Sequence, residues 1–299
     1  MDPLVIAVIL NTNRREDTLE VLQSLEDSDY QNQRVIVLDN ASTDGSVGAI
    51  HDRFPNVQVI SLSSNTGYAG NNNVGIREAL SQNADWILVL NEDTTLKSDC
   101  LRKMIEVGET NPRYGILGPL VYHHSDPTTI QSAGGWLGED WRGWHLGQDE
   151  QDCNQYSEPH LVDWVSGCAI MLRRGMIDEI GMLDERFFYY YEETEWCLRA
   201  RKHGWLILNI PAAKMWHKGV QPNYQPSPNV TYYATRNHFL MLAKHKAPLR
   251  TWFLAWLETG KILATWTMRS RWRMMKDHRD AMWHGTVDFL RGRWGMRRV

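Results

Sequence analysis

Short apolar runs alternate with segments of helical spacing from residue 4 to residue 90, and this alternation limits the chain to few folds. The runs occupy residues 4–10, 34–39, 57–62 and 86–90 and are rich in Val, Ile and Leu. Runs that are apolar at successive positions are typical of strands buried on both faces. Between the first two runs, Leu19, Leu22 and Leu25 share one face of a predicted helix. The order βαβαβαβ therefore predicts an α/β fold around a mostly parallel sheet with right-handed crossovers.

The composition is that of a globular protein and excludes several classes. The 299 residues carry a formal charge of −4, with 42 % hydrophobic and 23 % charged side chains, which argues against a disordered or collagen-like chain. Four cysteines lack any CxxC spacing, so neither a disulfide scaffold nor a zinc site is indicated, and a reducing compartment fits. The N-terminal residues show no signal-peptide pattern. We therefore expect a cytoplasmic protein.

The regular pattern breaks over residues 123–160, where glycines and tryptophans are interspersed with acidic residues. We interpret this segment as an irregular excursion, and long excursions within α/β domains are often functional. Regular segments return after it and end at a proline-rich stretch. The sequence thus predicts an α/β domain at residues 1–220, a proline-rich linker at residues 221–229 and a helical region at residues 230–299.

Polar segments follow the four predicted strands. They begin at Asn11, Asp39, Asn65 and Asn91. Ligands of open parallel sheets bind beyond the carboxyl ends of the strands, so these segments are expected at one edge of the sheet. Asn, Asp, Ser and Gly are also common in turns, but four such segments at one edge favour a nucleotide site. Neither the GxGxxG dinucleotide fingerprint nor the P-loop pattern is present in them.

Acidic residues follow a cluster of aromatic residues later in the chain. Residues 187–191 are all Phe or Tyr, and Glu192, Glu193 and Glu195 come directly after them. Acidic residues are also common at the N-termini of ordinary helices. Neighbouring rings, however, can desolvate a carboxylate and raise its pKa toward the range that suits a general base. The segment is therefore a candidate catalytic site.

In their order and spacing, the motifs resemble the family 2 glycosyltransferases with the GT-A fold, especially the rhamnosyltransferase-like group. The resemblance extends from residue 4 to about residue 219 and rests on motifs at residues 11–13, 39–46, 65–73, 90–94, 166–168, 173–174, 187–199 and 217–219. It implies a GT-A glycosyltransferase domain over residues 1–220, in which helices flank a mostly parallel sheet, with a helical C-terminal extension.

The resemblance also implies a nucleoside-diphosphate sugar donor at the polar strand ends. Asp39 is then expected to accept a hydrogen bond from the nucleotide base. A glycine such as Gly67 would let the backbone approach the ribose and diphosphate closely. The expected donor-binding residues are Thr12, Asn13, Arg14, Asp39, Asn65, Gly67, Asn73, Asn91, Glu92 and Asp93. For Asp44, capping of the following helix and contact with the ligand both stay open.

Asn91, Glu92 and Asp93 stand where the family carries its Asp-x-Asp metal motif. The resemblance therefore implies Mg or Mn, with Asp93 and His217 as protein ligands and Asn91 in place of the first Asp. A divalent cation would neutralise the charge that develops on the leaving diphosphate. The alternatives are that Asp93 only begins the next helix and that His217 has a structural role.

In relatives the acidic motif is Glu-Asp, and its second acid is the catalytic base. Glu193 aligns with that base, and Glu192 is the competing assignment. The resemblance implies an inverting transfer of a hexosyl-type sugar to a hydroxyl group of a glycan or lipid-linked saccharide of the cell surface. The expected acceptor pocket consists of Trp164, Gly167, Tyr190, Tyr191 and Trp216.

Two alternatives to a transferase stay open. One is a catalytically silent subunit that binds a sugar nucleotide, because Asn91 and Glu193 depart from the family motifs. The other is a nucleotidyltransferase that makes a sugar nucleotide and shares the parallel-sheet plan. The absence of a glycine-rich basic loop near the first strand argues against the nucleotidyltransferase.

The C-terminal part differs in charge from the rest of the chain. Residues 236–299 contain 14 Lys and Arg against 4 Asp and Glu, together with six of the 14 tryptophans. Glu258 and Lys261 interrupt the apolar span, so no transmembrane helix is predicted. Peripheral membrane contact, a homo-oligomer interface and a packed helical subdomain all stay open, whereas nucleic acid is not an expected partner. Four residues there resemble a family feature without an assigned role: Tyr232, Tyr233, Arg236 and Asn237.

Overall fold

The computed structural model describes residues 2–219 and 226–297. The strands are β1 (Val5–Asn11), β2 (Gln33–Asp39), β3 (Gln58–Ser61), β4 (Trp86–Asn91), β5 (Thr94–Leu96), β6 (Tyr114–His123), β7 (Ile130–Ser132), β8 (Gly135–Leu137), β9 (Gly143–His145), β10 (His160–Leu161), β11 (Ala169–Arg173) and β12 (Leu206–His217). The helices are α1 (Arg15–Glu26), α2 (Ser46–Arg53), α3 (Gly67–Ser81), α4 (Cys100–Gly108), α5 (Arg174–Ile180), α6 (Glu192–Lys202), α7 (Pro228–Lys244), α8 (Leu249–Met268), a 3₁₀ helix (Ser270–Met275) and α9 (Lys276–Leu290).

The central sheet has the strand order β10-β12-β6-β11-β4-β1-β2-β3. Strands β1 to β4 pair in parallel, as do β6 and β12. Strand β11 lies antiparallel between β4 and β6. The predicted α/β fold with a mostly parallel sheet is confirmed, and the antiparallel strand is the feature that the apolar pattern did not predict.

Both faces of β1 are buried, which explains its unbroken apolar sequence. Val5, Ala7 and Ile9 face one core, whereas Ile6 and Val8 face the other. Each of the Val and Ile side chains among them contributes roughly 1.5–3 kcal/mol of burial free energy. A sheet covered on both faces leaves its strand ends as the open positions for polar groups.

The sequence pattern also predicts a helix after the Gly-Asn stretch that ends at Asn73, a strand over residues 205–210 and a helix over residues 249–276, and the structure changes one boundary of each. The Gly-Asn stretch predicted to precede a helix forms the first turns of α3, where Asn71 accepts a hydrogen bond from the Thr66 backbone at 3.0 Å. The strand predicted to end at residue 210 continues in β12, through a register shift after Ile210, to His217. The helix predicted over residues 249–276 ends at Met268 and is followed by the 3₁₀ helix.

The C-terminal helices begin two residues before the predicted boundary. Pro228 opens α7, and Ser227 caps it by accepting a hydrogen bond from the Val230 N–H. Of the predicted linker, residues 221–225 lie outside the described residues. Among residues 2–219 and 226–297, no helix is long and apolar enough to cross a membrane.

Candidate active site

A cavity of about 650 Å³ opens beyond the carboxyl ends of β1 and β4. The sequence-predicted residues that line it are Thr12, Arg14, Asn65, Gly67, Asn91, Glu92, Asp93, Gly167, Tyr190, Glu192, Glu193 and His217. Parallel strands end at the same edge of the sheet, and β12 and α6 supply the opposite side. The cavity therefore brings together candidates for donor binding, metal binding and proton transfer.

Two predicted donor-binding residues, Asp39 and Asn13, are not among the described residues that line the cavity and instead hold neighbouring loops together. The Asp39 carboxylate accepts hydrogen bonds from Asn11 Nδ2 at 2.9 Å and from the Ser42 backbone at 3.1 Å. Asn13 Oδ1 accepts from the Thr43 N–H at 2.8 Å. Both side chains are thus engaged in joining the loops after β1 and β2. Among the described residues that form the wall, Asn40 stands where Asp39 was expected, and a contact between Asp39 and a base stays a prediction.

The position of Asn73 corrects its expected place beside the diphosphate. Its amide donates to the Leu183 carbonyl at 2.9 Å and accepts from the Leu183 N–H at 3.1 Å. Asn73 is buried in α3. Asn73 therefore joins the loop at Leu183 to α3 and is not among the described residues that line the cavity.

Three residues of the expected acceptor pocket also pack elsewhere. Trp164 is buried and donates to the Trp136 carbonyl at 3.3 Å. Tyr191 stacks on His238, with ring centroids 5.5 Å apart. Trp216 donates to the Pro127 carbonyl at 3.3 Å. In the described part of the chain, Gly167 and Tyr190 are the members of the predicted pocket that reach the cavity.

Asp93 and His217 form a buried pair at one side of the cavity. Strand β12 carries His217 to Asp93, so that Nε2 lies 3.2 Å from Oδ1. His217 Nδ1 lies 2.9 Å from Gln131 Oε1, and this contact orients the ring so that Nε2 faces Asp93. Although burial opposes ionisation, the neighbouring imidazole and Arg14 hold the pKa of Asp93 below its usual value. Asp93 Oδ1 is buried and accepts no well-aligned hydrogen bond from the described residues.

Glu192 and Glu193 begin α6 and face the same cavity. Burial, and secondarily the adjacent Glu193, raises the pKa of Glu192 well above its usual value. Burial also raises the pKa of Glu193, although hydrogen bonds from the helix start oppose this shift. Glu193 packs against Gly167, where an added Cβ would lie 3.4 Å from Glu193 Cγ. Two carboxylates with raised pKa values provide candidates for a general base near neutral pH.

A third acidic residue with a raised pKa lines the cavity beside the metal-site candidates. Burial and the adjacent Asp93 raise the pKa of Glu92 to about 7. Positive charge from Arg14 partly opposes this shift. The site therefore combines acidic groups that differ in pKa.

Glu195, the last acid of the motif, has a structural position. It is fully buried and forms ion pairs with Arg199 at 3.2 Å, Lys244 at 2.9 Å and His245 at 2.8 Å. These partners hold its pKa below the usual value against the effect of burial. Glu195 thus joins α6 to α7 and is not a candidate base.

The aromatic segment, residues 187–191, is fixed by a side chain whose role the sequence did not indicate. Asn237 Nδ2 lies within hydrogen-bond distance of three carbonyl oxygens, those of Phe187 at 2.6 Å and of Tyr189 and Tyr190 at 2.8 Å. Phe188, Tyr190 and Tyr191 all have positive φ angles between 62° and 72°. Such backbone conformations are costly for residues other than glycine and persist where surrounding contacts determine them. The motif at residues 232–237 therefore shapes the wall of the cavity from α7.

Gly67 fits the same segment from the opposite side. Its φ is 80°, and an added Cβ would lie 2.2 Å from the Phe188 carbonyl oxygen. The next residue, Tyr68, donates its N–H to that oxygen at 2.7 Å. Its hydroxyl donates to the Gly167 carbonyl at 2.5 Å. Tyr68 is a wall residue that lay inside a predicted motif without being singled out.

Asp44 joins the starts of two helices. Its carboxylate accepts from the Arg15 N–H at 2.9 Å and from the Ser46 N–H at 3.1 Å. Ser46 is the first residue of α2. The geometry agrees with the helix-capping alternative for Asp44.

Comparison with known proteins identifies the family. The Glycosyl transferase family 2 model matches residues 6–181. The chain is 28 % identical over 271 residues to the N-acetylglucosaminyl-diphospho-decaprenol L-rhamnosyltransferase of Mycobacterium tuberculosis, covering 81 % of this chain and 87 % of that protein. It is 27 % identical over 311 residues to the dTDP-rhamnosyl transferase RfbF of Shigella flexneri, covering 98 % and 97 % of the two chains.

A solved structure with the same fold covers almost the whole chain. The mannosyltransferase PcManGT from Pyrobaculum calidifontis, in complex with GDP-Man and Mn²⁺, superposes with a TM-score of 0.60 at 15 % identity. The match covers 97 % of this chain and 88 % of that one. It supports the GT-A fold predicted from the motifs. The chain therefore belongs to glycosyl transferase family 2 and is a rhamnosyltransferase-like glycosyltransferase that acts on nucleotide sugars.

Proposed function

We propose that the enzyme transfers a rhamnose-type sugar from a nucleoside diphosphate to a hydroxyl group of a glycan or lipid-linked saccharide, with inversion at the anomeric carbon. The observation that carries this proposal is the meeting of polar strand ends, the Asp93–His217 pair and two raised-pKa glutamates in one cavity. The rhamnose donor and the lipid-linked acceptor are extended from the activities named for the two rhamnosyltransferase relatives. The family assignment also argues against the nucleotidyltransferase alternative.

Asp93 and His217 fit a divalent cation. No group of three or more His, Cys, Asp or Glu in the described ranges could hold a metal without further ligands. Two protein ligands suit Mg²⁺ or Mn²⁺ in this enzyme class, since diphosphate oxygens and water complete the coordination. The donor atoms for the cation would be Asp93 Oδ1, which is buried and unsatisfied, and His217 Nε2, because Gln131 contacts the other ring nitrogen. When bound, the cation would neutralise charge on the leaving diphosphate.

Glu193 is the proposed base. Its carboxylate would take the proton of the acceptor hydroxyl while that oxygen attacks the anomeric carbon from the side opposite the nucleotide. One displacement of this kind inverts the configuration. Burial raises the pKa of Glu193 and thereby makes its carboxylate a stronger base. Glu192 is the alternative base, because it lines the same cavity.

The function is tested by offering the full-length protein a panel of nucleoside-diphosphate sugars that includes dTDP-rhamnose, with Mn²⁺, Mg²⁺ or excess chelator. We expect metal-dependent release of the nucleoside diphosphate and transfer that inverts the anomeric configuration. Full activity in excess chelator contradicts the metal role. Donor binding without transfer or hydrolysis would favour the silent binding subunit.

We also propose that α8 contacts a membrane surface. Apolar side chains on this helix are largely exposed, Leu249 by 88 % and Phe253 by 65 %. The residues of α8 classed as buried are Thr251, Ala255 and Thr259. The surrounding region carries the excess positive charge of the C-terminal part, which complements an anionic lipid surface.

A further inference from the structure

A second cavity, separate from the catalytic one, lies between α7, α9 and the residues that follow α9. Its volume is about 460 Å³. Tyr232 and Arg236 form its α7 side, and Asp288 belongs to α9. The residues after α9 add three more arginines, Arg291, Arg293 and Arg297. No step of the proposed transfer uses this cavity.

Four guanidinium groups face one carboxylate in the described wall of this C-terminal cavity. The carboxylate of Asp288 accepts from the Tyr232 hydroxyl at 2.7 Å and lies 3.4 Å from Arg293 Nη1. The cavity therefore keeps a positive charge that its own acid does not balance. Like charges held together are unfavourable unless an anion compensates them.

Arg236 is the buried arginine of this cavity. It is fully buried, and no carboxylate of the described residues lies within ion-pair distance of it. Its guanidinium donates to backbone carbonyls, to Gly295 at 2.7 Å and to Phe187 at 3.1 Å. Carbonyl oxygens satisfy the donors but bring no negative charge. The guanidinium carbons of Arg236 and Arg297 lie 5.4 Å and 4.7 Å from the same Tyr232 ring centroid.

Part of the cavity lining is apolar. Val287, Trp294 and Met296 line it, and Met296 is 55 % exposed. Arginine forks match the oxygens of phosphate groups, which they bind through paired hydrogen bonds. A ligand with a phosphate at one end and a hydrocarbon portion next to it would match both parts of the wall. Neither a sugar alone nor a hydrocarbon alone would satisfy the arginines.

We propose that the C-terminal cavity binds the phosphate or diphosphate group of an amphiphilic molecule, with its arginines on the phosphate and its apolar side chains on the adjoining hydrocarbon. The ligand could be a lipid diphosphate or a glycerophospholipid, since both present this chemistry. If it is the acceptor's own lipid diphosphate, the cavity is an acceptor subsite, and that assignment rests on the proposed function. The two cavities would then be neighbours, because Arg236 donates to the Phe187 carbonyl and the next residue, Phe188, lines the catalytic cavity.

The test is calorimetric titration of the full-length protein in excess chelator, which suppresses metal-dependent binding of diphosphates in the catalytic cavity. The ligands are farnesyl diphosphate, dihexanoyl phosphatidylglycerol, inorganic pyrophosphate and farnesol. Arg291→Gln/Arg293→Gln removes two exposed cations of the cavity, and Arg269→Gln/Arg273→Gln is the matched control outside it. Thermal melts establish that both double variants are folded.

We expect the cavity variant to bind an amphiphilic phosphate at least about tenfold more weakly, since it loses charged hydrogen bonds, and the control to bind it normally. Whichever of the two amphiphiles shows this loss identifies the source of the phosphate. Equal affinity in the wild type and the cavity variant overturns the proposal. Farnesol or inorganic pyrophosphate binding as tightly as the amphiphiles overturns it as well.

A separate measurement keeps this inference apart from the transferase proposal. Hydrolysis of the donor in the absence of acceptor, in which water takes the sugar and the nucleoside diphosphate leaves, reports on the catalytic cavity alone. We expect Arg291→Gln/Arg293→Gln to retain this hydrolysis. Absence of both donor hydrolysis and sugar transfer in the wild type would contradict the proposed function, whereas arginine-independent binding contradicts the proposed ligand site in the C-terminal cavity.

Discussion

The α/β part buries its apolar side chains, whereas the C-terminal helix α8 leaves large apolar side chains exposed. Strand β1 buries both faces, and its first five side chains are no more than 1 % exposed. Helix α8 leaves Leu249 and Phe253 mostly in solvent. Burial in the first region specifies a fold, because almost every apolar position has a partner within the chain. Contiguous exposed apolar side chains in the second region indicate a surface that interacts with something else.

The proposed catalytic groups belong to the α/β part, so the largest losses of activity should follow changes there. Glu193→Gln removes the proposed base, and we expect turnover to fall by roughly 10²–10⁴-fold. Donor affinity should change by only a few-fold, because the base contacts the acceptor. Steady-state kinetics and donor titration measure the two effects. The assignment moves to the neighbouring residue if Glu192→Gln is the inactive variant and Glu193→Gln is close to wild type.

Loss of the Asp93–His217 pair should weaken the donor side of the same cavity. Asp93→Ala removes the carboxylate that would hold the cation, and we expect metal-supported activity to fall by about 10²-fold or more. Donor binding in Mn²⁺ should weaken in parallel. Asp52→Ala, an exposed acid on α2, is the matched control. An Asp93→Ala enzyme that responds to Mn²⁺ as the wild type does would exclude Asp93 as a ligand.

The two regions meet at Asn237, and its replacement tests whether they depend on each other. Asn237→Ala removes the side-chain donor that the Tyr189 and Tyr190 carbonyls share, whereas the Phe187 carbonyl keeps Arg236, and we expect a cost of about 1–3 kcal/mol of unfolding free energy. We expect the KM for acceptor to rise more than the donor affinity falls, because the segment lines the cavity beside the glutamates. Denaturant unfolding and initial rates measure these effects. Unchanged stability together with unchanged kinetics would show that the regions are independent.

The buried glutamates should give activity and stability opposite dependences on pH. If Glu193 is the base, activity needs its carboxylate and is lost as pH falls through a pKa that burial has raised. For stability, the folded pKa of Glu192 lies above the unfolded value near 4.5. Its stabilising contribution is therefore present below the unfolded pKa and lost as pH rises through the folded pKa.

Melting temperature as a function of pH measures this contribution. Glu192→Gln removes the titration, and we expect the variant to lose less stability than the wild type as pH rises. Identical pH profiles for the two proteins would contradict a strongly raised pKa at Glu192.

The smallest expected effect concerns the exposed face of α8. Phe253→Ser/Trp256→Ser should reduce co-sedimentation with anionic vesicles at low salt, and high salt should reduce the binding of the wild type, because exposed charges are screened. Neutral vesicles should bind less protein. Trp136→Ser, an aromatic of similar exposure on β8, is the control. Equal binding to anionic and neutral vesicles would leave α8 as a packing or oligomerisation element.

Sequence reasoning succeeded where a local pattern fixes the structure. Strands buried on both faces have a distinct apolar pattern, and parallel pairing places their polar ends at one edge. It failed where side chains far apart in sequence decide the outcome. Asn73 fastens to Leu183, 110 residues away, and Asn237 binds the segment around Tyr189, so neither role is visible from local spacing. Asp39 was placed at the correct strand end, but its engagement by Asn11 depends on three-dimensional packing.

The guanidinium of Arg236 lines one cavity and contacts the residue next to the lining of the other. It donates to Phe187, next to the catalytic wall, and to Gly295, in the chain segment that closes the C-terminal cavity. If a ligand in either cavity shifts this side chain, the two binding equilibria share a coupling free energy. Thermodynamic linkage then requires reciprocity, so each ligand changes the affinity for the other by the same factor. A phosphate-bearing molecule in the C-terminal cavity would thus act on the order in which donor and acceptor assemble.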